Sequence, residues 1–420
     1  MSLNDTPMAE RTHIGFFGLR NAGKSSLVNR ITAQEMSLVS DVLGTTTDPV
    51  KKSMELLPLG PVTIIDTPGY DDEGALGEKR VARTKEILAT CDIAVLVTES
   101  DGLSAIEAEL FDTIKKREIP YLIVRNKADL AAPAVMENDT AAKDMTAKDM
   151  AARDKAAKDM AAPPVLLVSA QTGEGIEALK EALARCAKGR EKQIRLVADM
   201  LKPSQVVILV IPIDTSAPKG RLILPQQEAL RDILDAGAIG IVSSVEGLSD
   251  TISRLKEPPS LVITDSQAFG KVMHIVPETI PLTSFSILMA RYKGFLKAAM
   301  EGASAIDRLP DHAKVLIAEG CTHHRQCEDI GTVKLPRWLS EYTGKEMDLT
   351  FTSGHGFPED LSAYDLVIHC GACMLHDNEM ANRMRMANEA GVPFTNYGTA
   401  IAHMNGILAR STAYVLPYLD

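Results

Sequence analysis

No apolar run in this 420-residue chain approaches the roughly 20 residues that a helix needs to cross a bilayer. Met1 to Arg11 is polar and lacks the apolar stretch of a signal peptide. Aromatic residues make up only 4% of the chain, and no basic or aromatic-rich tail is present. Positive charge is in the minority, with 45 Lys and Arg against 56 Asp and Glu and a formal net charge of −11. These shortages argue against a membrane partner and against a surface built mainly for nucleic acid. The expected location is the cytoplasm.

What is present is ordinary for a folded protein: 45% hydrophobic and 24% charged residues. The length is too great for one core and implies two or three domains. Residues 12 to about 190 alternate apolar strands with helical segments. The strands are read at Ile14–Phe17, Val62–Ile65, Ile93–Val97, Tyr121–Val124 and Val165–Val168, and the helices at Lys24–Thr32, Gly77–Ala89 and Glu174–Cys186. Such alternation implies right-handed βαβ units and a mostly parallel sheet, an α/β fold. An insertion at 131–162 interrupts it, with the repeat AAKDM-TAKDM-AARDK-AAKDM over Ala141 to Met160. Asp144, Asp149 and Asp154 precede Lys148, Arg153 and Lys158 by four residues, which suits a polar helical linker without chemistry. From about 195 the pattern restarts, with strands at Val206–Ile213, Ala238–Ser243 and Leu261–Thr264 and a helix at Pro225–Asp235. This block carries no ligand motif and suits packing or self-association. A third α/β block has strands at Lys314–Ala318, Asp348–Phe351, Tyr364–Ile368 and Pro393–Thr395, with a helix at Glu379–Ala390.

Chemistry enters with Gly18-Leu-Arg-Asn21-Ala22-Gly23-Lys24-Ser25, a phosphate-binding loop between a strand and a helix. Glycines let backbone N–H groups curl around phosphates, and the helix N-terminus adds partial positive charge. Lys24 is expected on the β- and γ-phosphates, Ser25 on magnesium, and Ala22 and Ser26 within the same cradle. Asp66-Thr-Pro-Gly69 follows a strand, placing a carboxylate near magnesium and an N–H near the γ-phosphate. Asn126-Lys127-Ala128-Asp129 follows another. A carboxylate there accepts two hydrogen bonds from guanine, which adenine does not offer, and Ser169-Ala170 completes the base pocket. Together the four motifs specify GTP with Mg2+ and a GTP-hydrolysing domain. Tyr70 stands where Ras-like enzymes carry a water-orienting glutamine, so the attacking water must be positioned otherwise.

Gly44-Thr45-Thr46-Thr47-Asp48 resembles the first switch of GTPases related to the tRNA-modifying enzyme MnmE and to Era. The resemblance makes Thr46 the magnesium and γ-phosphate sensor, although Thr47 replaces the arginine of that pattern. It also implies that Asn21 helps bind K+ in place of an arginine finger; the other reading is an Asn that simply tolerates a tight turn. Lys24, Asn21, Thr46 and Asp66 are the expected catalytic set.

Six cysteines occur, four of them in the last 100 residues. Cys91 and Cys186 read as isolated packing thiols. Cys321-Thr-His323-His324, Cys327 and His369-Cys370-Gly-Ala-Cys373 follow predicted strands. If those strands are parallel neighbours, Cys321, Cys370 and Cys373 converge at one sheet edge, ahead of a helix beginning near Met374 or Asp377. Spacing alone suits zinc as well as iron–sulfur. His324, His355, His376 and His403 read as surface or packing residues.

The C-x-H and H-C-x-x-C motifs downstream of a GTPase domain resemble the HydF family, the maturation GTPases of iron-iron hydrogenases. The resemblance covers the whole chain, apart from the 131–162 insertion and the extra Cys327. It implies a GTP-binding domain at 1–190, a dimerisation domain at 195–285 and a cluster domain at 290–420. It further implies a 4Fe-4S cluster on Cys321, Cys370 and Cys373, with a weak or exchangeable fourth ligand for which His323, His369 and Cys327 stand as alternatives. The implied role is a homodimeric scaffold or carrier that receives a di-iron precursor from radical-SAM maturases and delivers it to apo-hydrogenase. A different class remains open: an RNA- or ribosome-associated GTPase with a zinc module.

Overall fold

A computed structural model describes residues 10–32, 50–70, 84, 86–88, 90–99, 102–117, 119–130, 165–188, 194–213, 222–320, 329–354 and 356–419. The 44–48 switch with Thr46, the 131–162 insertion, Cys321, His323, His324, Cys327 and His355 fall outside them. The chain divides into two compact units, Met1–Glu191 and Lys192–Asp420.

The first unit holds β1 (Thr12–Phe17), α1 (Lys24–Thr32), β2 (Val50–Leu56), β3 (Gly60–Asp66), β4 (Ile93–Thr98), α2 (Ala105–Lys116), β5 (Tyr121–Arg125), β6 (Val165–Leu167) and α3 (Ile176–Lys188). Its sheet runs β2-β3-β1-β4-β5-β6. Every residue of β4 is buried, as expected for a central strand covered on both faces. α1 turns Leu27, Val28 and Ile31 inward, the spacing of one helical face. α2 begins in a capping box, in which Ser104 and Glu107 each satisfy the other's backbone N–H.

β2 was not foreseen. It pairs antiparallel with β3, from Val50↔Asp66 to Leu56↔Gly60. Its exposed residues alternate with half-buried ones, and Lys51, Lys52 and Glu55 supply charge along this edge. That charge masks the apolar signal and also discourages pairing with another chain.

The second unit has two parallel sheets of four strands, ordered β10-β9-β7-β8 and β12-β11-β13-β14. In chain order its elements are β7 (Val206–Val210), α4 (Leu224–Asp235), β8 (Ile239–Ser243), α5 (Leu248–Ser253), β9 (Leu261–Thr264), α6 (Phe269–Ile275), β10 (Leu282–Ser284), α7 (Phe285–Tyr292), α8 (Leu296–Ala303), β11 (Ala313–Glu319), α9 (Leu335–Thr343), β12 (Met347–Ser353), β13 (Leu366–His369), α10 (Asp377–Glu389), β14 (Phe394–Asn396), α11 (Tyr397–Met404) and α12 (Leu408–Ala413). One continuous hydrophobic core joins both sheets.

Polar contacts reinforce that junction. Thr395 Oγ1 donates to Ala299 O at 2.8 Å, and Asn396 Nδ2 donates to Ser286 O at 2.9 Å. Near the C-terminus, Arg410 donates to Val276 O at 2.9 Å and Tyr414 OH to Met200 O at 3.0 Å. Gly302 allows α8 to lie on β14, since a Cβ there would come 2.1 Å from Phe394 O. The middle and last blocks of the sequence therefore fold around a common interior.

β8 is an edge strand of sequence IGIVS, without a charge to guard it. Ile239 is 50% and Val242 49% exposed, which leaves an apolar edge suited to pairing with a second copy. Val242→Lys is therefore expected to weaken self-association by at least about tenfold, on the order of 1.4 kcal/mol. Sedimentation would read the mass, with the thermal unfolding midpoint as control. An unchanged assembly would exclude this edge as the contact.

Candidate functional site

The nucleotide motifs meet at one edge of the first sheet. The phosphate loop leaves β1 through Gly18 at φ +146° and enters α1 through Gly23 at φ +80°. A Cβ on Gly18 would sit 2.2 Å from Val97 O, and one on Gly23 would sit 2.2 Å from Asn126 Nδ2. Both positions thus need glycine for conformation and for space. Asn21, exposed at φ +61°, also lies in the left-handed region, which Asn tolerates better than most residues. The turn alone accounts for an Asn here.

Lys24 is buried, and its Nζ donates to Gly18 O at 3.0 Å and Leu19 O at 2.7 Å. Ser25 Oγ donates to Asp66 Oδ2 at 2.5 Å, bringing together the hydroxyl and carboxylate expected at magnesium. Asp66 is only 1% exposed. This donor set fits a hard divalent cation beside phosphate oxygens. Gly69 is held near the loop through its neighbour, as Tyr70 N donates to Gly18 O at 3.3 Å. The Tyr70 ring belongs to the apolar cluster of Phe17, Ile65 and Leu88. Burial and the nearby Glu109 raise the pKa of its hydroxyl.

Asn126 links the phosphate loop to the base loops. Its Nδ2 donates to Ala22 O at 3.1 Å, while its Oδ1 accepts from Ala170 N at 3.1 Å. Lys127, at φ +61°, pairs with Glu99 at 2.5 Å. Asp129 is exposed, and the buried Ser169 hydroxyl donates to its Oδ1 at 2.5 Å. Ser169 therefore orients the carboxylate expected to read the base, a contact its position in the motif did not reveal. Ser26, the second residue of α1, is half-buried.

Cys370 and Cys373 lie at an edge of the second unit, next to the end of β11. β11 and β13 are parallel neighbours, paired from Val315↔Leu366 to Ala318↔His369. Cys370 and Cys373, both half-buried, follow β13. Cys370 Sγ accepts from Gly320 N at 3.1 Å and from Ala372 N at 3.4 Å. The end of β11 is thereby tied to the Cys370 sulfur. Among the described residues, no group of three or more His, Cys, Asp or Glu side chains is arranged to hold a metal ion. The fit to an iron–sulfur cluster rests on two cysteines in a tight turn, with Ala372 at φ +58° and backbone N–H groups directed at the Cys370 sulfur.

Residues outside the motif shape this turn. Lys293 is buried, donates to Leu375 O at 2.8 Å and pairs with Asp377 at 2.8 Å. His376 caps α10, which begins at Asp377. Tyr397 OH donates to the buried Glu319 at 3.1 Å. Burial, Glu319 and Cys370 together raise the Tyr397 pKa well above its usual range. His369 is fully buried, with its ring nitrogens at 3.0 Å from Cys370 O and 3.0 Å from Arg383 Nη1. Burial and the adjacent guanidinium push its pKa down to about 3. Both ring nitrogens of His369 thus have hydrogen-bond partners in this structure. Lys293, Glu319 and Arg383 carry no sequence signature, because they reach the turn from distant segments.

Three comparisons bear on kinship. Residues 13–127 match the family model described as 50S ribosome-binding GTPase. Residues 196–294 match the hydrogen maturase F dimerization domain, and residues 297–414 its tetramerization domain. Among curated relatives, tRNA modification GTPase MnmE of Nitrosomonas europaea is 32% identical over 173 residues, covering 40% of this chain and 33% of the relative. MnmE of Prochlorococcus marinus is 36% identical over 190 residues, covering 44% of this chain and 36% of the relative. The chain thus spans about a third of the length of these relatives. Among solved structures, Era of Aquifex aeolicus bound to GDP·AlF4− is 19% identical, covering 55% of this chain and 91% of that one at a TM-score of 0.34.

Asp129→Asn is expected to weaken GTP binding roughly 100-fold, since hydrogen bonds to a charged group contribute about 1.5–3 kcal/mol each. Affinity for xanthosine triphosphate should rise in the same variant. Equal affinity of the wild type for ATP and GTP in a titration would contradict this reading of the base loops. The two maturase models together span more than half of the sequence and follow a P-loop GTPase domain, and the chain belongs to the hydrogen maturase F family.

Proposed function

We propose that this protein hydrolyses GTP and serves as an iron–sulfur scaffold or carrier in hydrogenase maturation. The observation that carries the reading is the hydrogen bond from Gly320 N to Cys370 Sγ. It ties the end of β11 to the Cys370–Cys373 turn, in a chain that also matches a GTPase family model. In this reading Cys321, Cys370 and Cys373 hold a 4Fe-4S cluster, which would supply an anionic metal surface with one exchangeable position. Three firm thiolates and one open position suit transfer, whereas four closed ligands suit storage.

In the GTPase unit, Lys24 would leave the carbonyls of Gly18 and Leu19 for the β- and γ-phosphates. Ser25 and Asp66 would hold Mg2+, Thr46 would join them, and Asp129 would read guanine. Asn21 would help bind K+ near the transferred phosphate, where a cation offsets the negative charge developing in the transition state. The proposed partners are a second copy of the chain, radical-SAM maturases and apo-hydrogenase. The acidic balance favours this role over a ribosomal one, and no helix among the described residues is long and apolar enough to cross a membrane.

Protein isolated without oxygen should be brown and contain iron and sulfide in equal amounts. Serine at Cys321, Cys370 or Cys373 should abolish both. Colourless protein containing zinc would refute the scaffold and support the ribosome-associated alternative.

Potassium supplies a separate test. GTP turnover should be at least several-fold faster in potassium than in sodium, and Asn21→Ala should erase the difference. Equal wild-type rates in the two salts would assign Asn21 to the turn alone.

A further inference from the structure

Cys370 is held at every polar atom. Its N–H donates to Ala318 O at 2.9 Å, its Sγ accepts from Gly320 N and Ala372 N, and its carbonyl lies 3.0 Å from His369 Nδ1. The last contact depends on which ring nitrogen carries the proton, and Arg383 decides that. A guanidinium can only donate, so His369 Nε2, 3.0 Å from Arg383 Nη1, must be an acceptor. The proton of the neutral ring therefore resides on Nδ1, which donates to Cys370 O.

Arg383 is itself immobilised. Its side chain is 4% exposed, and Nη2 donates to Gly354 O at 2.5 Å and to Glu379 Oε1 at 2.6 Å. The guanidinium also lies 4.9 Å from the Phe357 ring centroid. The His369 ring stacks on Phe394 at 5.9 Å between centroids, which restricts its rotation. One side chain on α10 thus grips the end of β12 through Gly354 and the end of β13 through His369.

We propose that Arg383 is a positioning residue for Cys370: by selecting the tautomer of His369, it fixes the backbone from which the Cys370 sulfur is presented. This deepens the scaffold reading and rests on it for the assignment of Cys370 as a ligand. The hydrogen-bond relay, however, belongs to the metal-free protein. Hydrogen bonds to a ligand's supporting groups commonly set its orientation, and losing one typically weakens metal sites 10- to 100-fold.

The test uses full-length protein labelled with 15N-histidine and stripped of metal. In the wild type, His369 should show protonated Nδ1 and unprotonated, hydrogen-bonded Nε2. In Arg383→Met, which keeps an apolar chain against Phe357, the ring should gain Nε2–H character. Amide exchange at Gly320 and Ala372 should then accelerate at least tenfold. Glu379→Gln spares the link from Arg383 to His369 and should leave the tautomer unchanged and exchange within about twofold. After reconstitution with iron and sulfide, Arg383→Met should lose iron to a chelator at least tenfold faster. Nε2–H in the wild type would overturn the relay without recourse to any variant. So would a tautomer change in Arg383→Met without faster exchange, or nitrogen coupling from His369 to a reconstituted cluster. Failure of the wild type to bind iron and sulfide would instead sink the scaffold reading, and the metal-free measurements would still judge the relay.

Discussion

Parallel pairing of strands is the constraint on which both candidate sites depend. In a parallel sheet, every loop that follows a strand emerges at the same edge. β1 pairs with β3 through Phe16↔Asp66, and β4 pairs with β5 through Thr98↔Arg125. The phosphate loop, the Asp66 carboxylate and the Asn126 loop therefore leave the sheet side by side. The Ala318↔His369 pairing does the same for Gly320 and Cys370. A one-residue slip would turn each side chain to the opposite face and carry the Cys370 sulfur away from the Gly320 amide.

The second unit adds a constraint of its own. Its two sheets have separate hydrogen-bond ladders but one apolar interior, crossed by α7 and α8. Phe295, between α7 and α8, meets Phe394 in an edge-to-face pair 6.0 Å apart. Lys293, just after α7, reaches the cysteine turn at Leu375 and Asp377. The segment that joins the two sheets thus also contributes a buried lysine to the turn. A substitution that loosens the middle block would also disturb the turn, since interiors at native packing density transmit displacement.

Much of this was legible in the residues, and the remainder was hidden for identifiable reasons. Strongly apolar strands such as Ile93–Thr98 and Leu261–Thr264 announce themselves, and α1 begins and ends where its apolar spacing places it. Charge on an edge strand concealed β2, and β10 is only three residues long, too short for alternation to register. Motif residues could be picked out as candidates because phosphate, guanine and metal ligation each call for particular atoms. Their supports were not: Ser169 beneath Asp129, and Arg383 behind His369, are defined by contacts across 40 and 14 residues of sequence. His369 lies beside Cys370 in the motif and invited a reading as ligand. Its burial between Phe394 and Arg383, which no motif announces, is what suggests the orienting role proposed above.

The two sites differ in what a ligand must displace. In the phosphate loop, the Lys24 ammonium is satisfied by two carbonyls of its own loop, and those bonds are exchanged when phosphate arrives. Part of the attraction between Lys24 and the nucleotide is cancelled by that exchange, as folding and binding generally replace one hydrogen bond with another. At the cysteine turn, the backbone N–H groups already point at sulfur and the Cys370 carbonyl is already held. Sulfur can gain a metal bond without giving up these partners, because a thiolate bound to iron still accepts hydrogen bonds. The first arrangement favours a nucleotide that comes and goes, and the second favours a seat that persists between loadings. That division would suit the proposed carrier role.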